Sequence, residues 1–338
     1  MTAYFIRRFF LIIPTFIGIT LLVFAVTRIV PGGPLERMIA EYQMAATESG
    51  GSQSRGGEVL SETQLQELRE YYGFDKPILV SYLEWLKKIV VLDFGLSTRY
   101  QDPVIDTIID RLPISLFYGL MTTFLTYLIS IPLGIIKGVR HHSHFDTLSS
   151  LFVFVGYAIP SYIFGIFLIF IFASNLEWFP MGGFVSEGFD DLSFSEKMFD
   201  MLHHGALPLV SYLIGSFAVM TMLMKNSLMD NIAADYVRTA VAKGLPYKKT
   251  ILRHALRNSL IPLATHFGNN ISLILTGSFL IEKIFNISGI GLLGFEAIVE
   301  RDYPVVLGIL VISSLLLLVG NILSDVCVAL VDPRVQFE

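Results

Sequence analysis

A single cysteine in 338 residues, Cys327, excludes an intrachain disulfide, and its apolar neighbours give it a packing role rather than a reactive one. Charge is scarce as well. Asp, Glu, Lys and Arg make up 16% of the chain against 53% hydrophobic residues, and mean hydropathy is +0.63, which excludes a soluble domain in favour of a polytopic membrane protein. The net charge of −5 argues against nucleic acid as a partner. Covalent chemistry lacks its usual equipment: there is no Gly-Lys-Ser/Thr phosphate loop, no nucleophile elbow, no His-Glu-x-x-His and no Cys/His ligand set. The chain therefore reads as non-catalytic, with no metal and no cofactor of its own, and must draw driving force from elsewhere.

What the chain has is long uncharged runs. Six of them, 9–27, 112–136, 147–176, 205–224, 260–280 and 303–324, are each long enough to cross a hydrocarbon core of roughly 30 Å. The first follows Arg7 and Arg8, exceeds a signal-peptide core and lacks a small-x-small cleavage site at Val26-Thr27-Arg28, so an uncleaved helix is predicted. Lys137 and Arg140 after the second run, and the basic stretch after the fourth, belong to the cytoplasm by the positive-inside rule. Glu187, Asp190, Asp191 and Glu196, with Trp178 and Phe179 as an interfacial anchor, place 177–200 outside. Six crossings put both termini in the cytoplasm.

Three divisions follow: 1–30 with the first span, 31–111 as an outer helical region, and 112–338 as a five-helix core with a loop at 225–262. In the outer region Pro31-Gly32-Gly33-Pro34 breaks the first helix, and the composition of 45–57 predicts a mobile stretch. Ser61 to Gln64 forms a capping-box pattern ahead of an apolar face running to Gly73. A helix is expected from Pro77 to Val91. Another is expected with Asp102 as N-cap and Pro103 first, separate from the second span.

Several polar residues in apolar runs have two readings. Pro160 should kink the 147–176 run, as packing or as a bend in a pathway. His266, Asn269 and Asn270 in the fifth run either bond between helices or face a solute. His141, His142 and His144 read as a hydrated turn rather than a metal site, because no Cys or carboxylate set accompanies them.

The organising stretch is Asp235-Tyr236-Val237-Arg238-Thr239-Ala240-Val241-Ala242-Lys243-Gly244-Leu245, running on to Pro262. Ile232, Tyr236, Val237, Ala240, Val241 and Leu245 fall at helical spacing, so a short amphipathic helix ending at Gly244 is predicted, with its apolar face covered. The run resembles the cytoplasmic coupling loop of permease subunits of ABC importers, in the form found in the dipeptide/oligopeptide/nickel family. That form pairs Asp-Tyr-Val-Arg-Thr-Ala-x-Ala-Lys-Gly with His-Ala-Leu-Arg-Asn-x-Leu-Ile-Pro, here Asp235 to Gly244 and His254 to Pro262. Tyr72 to Pro77, Asp93 to Ser97, Arg301 to Pro304 and Val331 to Arg334 are similar to further segments of the family. Gly156 to Pro160, Lys225 to Ser227 and Gly291 to Gly294 are most similar to its oligopeptide permeases that also admit microcin C-type peptides.

The resemblance implies an all-α fold of six transmembrane helices, the type I importer permease fold, with 31–111 in the periplasm. It implies a bacterial inner-membrane subunit that translocates oligopeptides with a second homologous permease, two cytoplasmic ATPases using ATP and Mg, and a periplasmic substrate-binding protein. Asp235, Tyr236, Arg238, Thr239, Ala240, Lys243 and Gly244 would couple to the ATPases. Pro160, His266, Asn270, Glu282 and Phe285 are pathway or gate candidates, Glu282 either meeting a substrate amine or pairing with Lys283 or Arg301. Asp325 is placed to pair with a loop cation. The rival readings are a proton-coupled transporter using His266, Glu282 and Asp325, an ABC permease for nickel or another small solute, and a non-transporting assembly subunit.

Overall fold

The computed structural model describes residues 2–29, 66, 75–267 and 277–331, and among them the chain is helical, with one isolated bridge between Leu96 and Pro103 in place of any named strand. The expectations for 31–34 and 45–57, for 61–73 apart from residue 66, and for Asn269 and Asn270 lie outside these residues. Two compact units form: one from Met1–Phe10, Arg111–Leu293 and Leu315–Glu338, the other from Leu11–Asp110 and Gly294–Ser314.

In the second unit, α1 (Thr2–Ile29) contributes its residues from Leu11 onward and meets α2 (Ile78–Val90). Tyr82 of α2 bonds Thr20 through its hydroxyl at 2.9 Å and packs edge-on against Phe24. The expected helix from Pro77 to Val91 is therefore present within one residue at each end. Asp302 caps the start of α12 (Tyr303–Val331), its backbone carbonyl accepting from the Val306 amide, and also receives the Ser97 hydroxyl and the Arg99 amide. Asp302 is buried, so these donors are what allow its carboxylate to sit there.

The outer helix expected after Asp102 is not separate from the second span. A single helix, α3 (Val104–Val139), runs through both, with Asp110, Arg111 and Pro113 inside it. Charge marked a change of environment, and polarity alone does not break a helix. For the same reason the fourth span extends at both ends into α6 (Phe194–Ala233), whose 40 residues reach about 60 Å at 1.5 Å each. Ser193 and Glu196 form a capping box at its start.

The first unit holds most of α3 and all of α6, with α4 (His144–Ala158) and α5 (Ser161–Leu168) between them. The kink expected at Pro160 is a bend of 98° between α4 and the stretch formed by α5 and a π-helical turn, Ile169–Asn175. Pro160 has no amide hydrogen to continue α4, and its carbonyl accepts from Phe164 to begin α5. Among the described residues, α3, α6 and α12 have the length and hydropathy of a membrane span, and the bent pair passes the same test only when its two arms are taken together. The apolar part of α1, Phe9–Ala25, is shorter, and the fifth expected span is described as helix only over 261–267.

Glycine sets the contact between α3 and α6. A Cβ at Gly134 would sit 2.6 Å from Met224 Cβ and 2.9 Å from the Thr221 carbonyl, so the helices approach as only glycine allows. Gly138, one turn on, faces Leu228. Ser130 Oγ adds a bond to the Phe217 carbonyl at 3.2 Å.

Candidate functional site

The predicted amphipathic helix is α7 (Asp235–Ala242), separated from α6 by Ala234 alone. Its end is a Schellman motif: the Gly244 amide donates to Val241 and the Leu245 amide to Ala240, with Gly244 at φ +87°. That backbone strains any side-chain-bearing residue, which is why glycine stands there. Val237 is the side chain that anchors the helix, 2% exposed in a cluster with Met220, Met224, Leu228 and Ile251.

The apolar face is narrower than its spacing implied. Ile232, Ala240 and Leu245 are half-buried, while Tyr236 and Val241 are exposed beside Asp235, Arg238, Thr239, Lys243 and Gly244. A short helix lying on one supporting helix can cover only a strip about one residue wide per turn. The seven expected coupling residues thus share one helix and its cap, six of them on exposed surface and Ala240 turned partly inward.

Tyr236 does more than face outward. Its hydroxyl donates to Asn231 Oδ1 at 2.6 Å and accepts from Asn258 Nδ2 at 3.2 Å, joining the end of α6, α7 and α9 (Leu256–Ser259). Between α7 and α9 run α8 (Tyr247–Thr250) and a π-helical turn, Ile251–Ala255. Ser259 Oγ reaches the Ala255 and Ser227 carbonyls, closing α9 back onto α6. A loop cation that touches the last helix is Arg257, whose Nε donates to the Val331 carbonyl at the helix C-terminus, where positive charge is favoured.

Behind this loop lies an ionic cluster that sequence reading did not find. Asp146, 4% exposed at the start of α4, receives Lys225 Nζ of α6 on both oxygens, with Lys137 Nζ of α3 3.2 Å from one oxygen. Lys137 is fully buried and also donates to Ser149, Ser150 and the Asp146 carbonyl. His141 Nδ1 lies 3.1 Å from the same carboxylate, so one member of the histidine turn has a partner.

The pathway candidates separate. Glu282 and Phe285 come together at α10 (Phe279–Ile284). Phe285 is 1% exposed in an apolar cluster with Tyr118, Leu168 and Leu209, its ring against Gly165 of α5. Pro160 is exposed at the break, His266 is exposed on the 261–267 helix, and Asn270 is outside the described residues.

Glu282 has neither of its two expected partners within ion-pair distance. Its carboxylate accepts the Leu292 amide at 2.6 Å and the Tyr212 hydroxyl at 3.4 Å, with the amides of Gly291 and Ser278 also turned toward it. A Cβ on Gly277 or Gly289 would collide with this carboxylate, which explains the glycine-rich stretch before α11 (Ile290–Val299). The backbone must approach closely to donate. Glu282 lies outside the long apolar helices; burial pushes its carboxyl above the usual glutamate value, and the surrounding donors pull it down.

Long apolar helices carrying a short helix on an exposed basic loop are the features that the coupling-loop resemblance implies for a transporter permease. The family described as "Binding-protein-dependent transport system inner membrane component" matches residues 130–337, and the chain belongs to it. Similar curated proteins cover the whole chain. The peptidoglycan transport system permease protein YejB of Agrobacterium fabrum is 41% identical over 100% of this chain and 99% of its own. The inner membrane ABC transporter permease protein YejB of Escherichia coli O157:H7 is 42% identical over the full length of both, and the oligopeptide transport system permease protein AppB of Bacillus subtilis 36% over the full length of both. The chain is thus an ABC transporter permease, and the proton-coupled reading falls away.

Proposed function

We propose that this chain translocates oligopeptides across a bacterial inner membrane as one of two permease subunits of an ATP-driven importer. The observation that carries the reading is α7: an exposed surface held rigidly on α6 by Val237, the Tyr236 clasp and the Gly244 cap. ATPase closure would push that surface, and α6 would pass the movement to the membrane as a lever. The peptide substrate is supported by the names of the full-length relatives.

The topology we favour has six spans and both termini in the cytoplasm, the bent pair α4 and α5 counting as one crossing. Its support is charge: the basic turn at 137–144 and the acidic loop at 177–200 need opposite sides. Residues 31–111 then lie in the periplasm, where they would help receive the substrate-binding protein, and 112–338 form the pathway.

The test is to purify the chain co-expressed with its neighbouring genes and to measure ATP hydrolysis in lipid, with and without the binding protein and peptides. Peptide-dependent stimulation is expected. A complex that hydrolyses ATP in response to nickel but not to peptide would replace the substrate assignment.

A further inference from the structure

Between α3 and α6, within residues 111–293, lies a cavity of about 90 Å³ that no part of the coupling reading uses. Its wall includes Tyr118, Thr122 and Thr126 of α3, Tyr212 and Ser216 of α6, and Glu282. A single water needs only about 10–15 Å³ of such space, so a larger polar group fits.

Three features of the wall bear on what that group is. Among the described residues the hydroxyls of Tyr118, Thr122 and Thr126 have no hydrogen-bond partner, although Tyr118 is 3% and Thr126 1% exposed. At spacings of four they line one face of α3. A buried hydroxyl left unmet costs roughly 1–3 kcal/mol, and three on one face of one cavity point to a visitor that meets them. The second feature is Glu282, whose donors are all neutral; among the described residues no lysine or arginine nitrogen lies within 4 Å of it. The third is aromatic: the Tyr118 and Tyr212 rings stack at 5.8 Å and 30°. Hydroxyl oxygens, a carboxylate held by neutral donors with no cation beside it among the described residues, and aromatic faces together complement a primary ammonium group.

We propose that this cavity receives the free α-ammonium end of a peptide in transit, with Glu282 balancing its charge and the α3 hydroxyls accepting its N–H groups. The inference rests on the peptide-import reading and adds to it a chemical requirement placed in the permease itself. Acetylated or otherwise blocked amino ends lose both the charge and two of the donors.

The experiment separates this step from delivery. The complete transporter complex in lipid nanodiscs, without the binding protein, is equilibrated with labelled alanylalanine or N-acetyl-alanylalanine. Wild type is expected to bind the free amine at least about tenfold more tightly, and Tyr118→Phe and Thr126→Val each to shrink that preference by about 3–10-fold. Both substitutions remove an unpartnered hydroxyl and keep the shape, so folding is retained. Equal binding of the two peptides, or an unchanged preference in both variants, overturns the proposal. ATP-driven uptake of alanylalanine into proteoliposomes with the binding protein is run in parallel. Uptake without an ammonium preference in the binding assay defeats this inference alone; no uptake of any peptide removes the import reading and the inference with it.

Discussion

Lys225 Nζ lies 2.7 and 2.8 Å from the two carboxylate oxygens of Asp146, a bidentate contact between α6 and α4 in which both partners are buried. With Lys137 also against Asp146, one carboxylate serves two buried cations. Removing it strands both. Asp146→Ala is expected to cost roughly 3–5 kcal/mol, because uncompensated buried charge is the expensive outcome of breaking such a pair. Lys225→Met leaves Asp146 with Lys137 and should cost clearly less. Thermal unfolding in detergent ranks the two, and an Asp146→Ala protein as stable as Lys225→Met would refute the shared-carboxylate account.

Gly134 and Gly138 make a graded pair. At Gly134 an added methyl meets Met224 Cβ and a backbone carbonyl, neither of which can move cheaply. At Gly138 it meets the far end of Leu228 at 3.1 Å, which can turn aside. Gly134→Ala is therefore expected to lose about 1–3 kcal/mol, the usual range for overpacking, and Gly138→Ala under half of that. Equal losses in the same unfolding assay would mean that the helices slide apart freely.

Gly244 offers a test of docking. A Cβ there meets nothing within 4 Å of this chain, so Gly244→Leu costs the chain only its left-handed backbone, roughly 1–2 kcal/mol. Any larger effect must come from a partner surface. Co-purification of the ATPase subunits should fall strongly with Gly244→Leu and be largely kept with Gly244→Asn, since asparagine tolerates that backbone. Undiminished co-purification with leucine would remove α7 from the interface.

Tyr236→Phe deletes one hydroxyl and with it both bonds of the clasp between α6, α7 and α9. Docking should persist, because the ring remains exposed. Peptide-stimulated ATP hydrolysis should drop several-fold while basal hydrolysis holds, as a lever with a loose joint transmits less. A parallel fall in basal and stimulated rates would argue for a contact role instead.

Much of the fold was legible because local rules sufficed. The bounds of α2, the break at Pro160 and the end of α7 at Gly244 each follow from a proline, a glycine or an apolar period within a few residues. What was not legible depends on partners far along the chain. Asp146 follows the basic turn closely in sequence, but its bidentate partner Lys225 stands 79 residues away. Gly134 and Gly138 do form a Gly-x-x-x-Gly pattern, and reading it as a close helix crossing was possible; naming Met224 as its partner was not. Glu282 invited a cation from its sequence neighbours and instead took backbone amides, whose availability depends on a glycine loop folding back. The ends of α3 and α6 were missed because hydropathy reports where lipid ends, while a helix stops only where its hydrogen bonds stop.

The 98° break at Pro160 also bears on how the protein is made. Each arm, 144–158 and 161–175, reaches roughly 22 Å, short of a hydrocarbon core of about 30 Å. Neither arm can be handed to the bilayer alone as a finished span during synthesis. Both arms pack on α6, which emerges from the ribosome later. The bend therefore gains its packing partner only once 194–233 has been made, and a released chain truncated before Phe194 should be cut by protease at 159–161 where the full chain is protected.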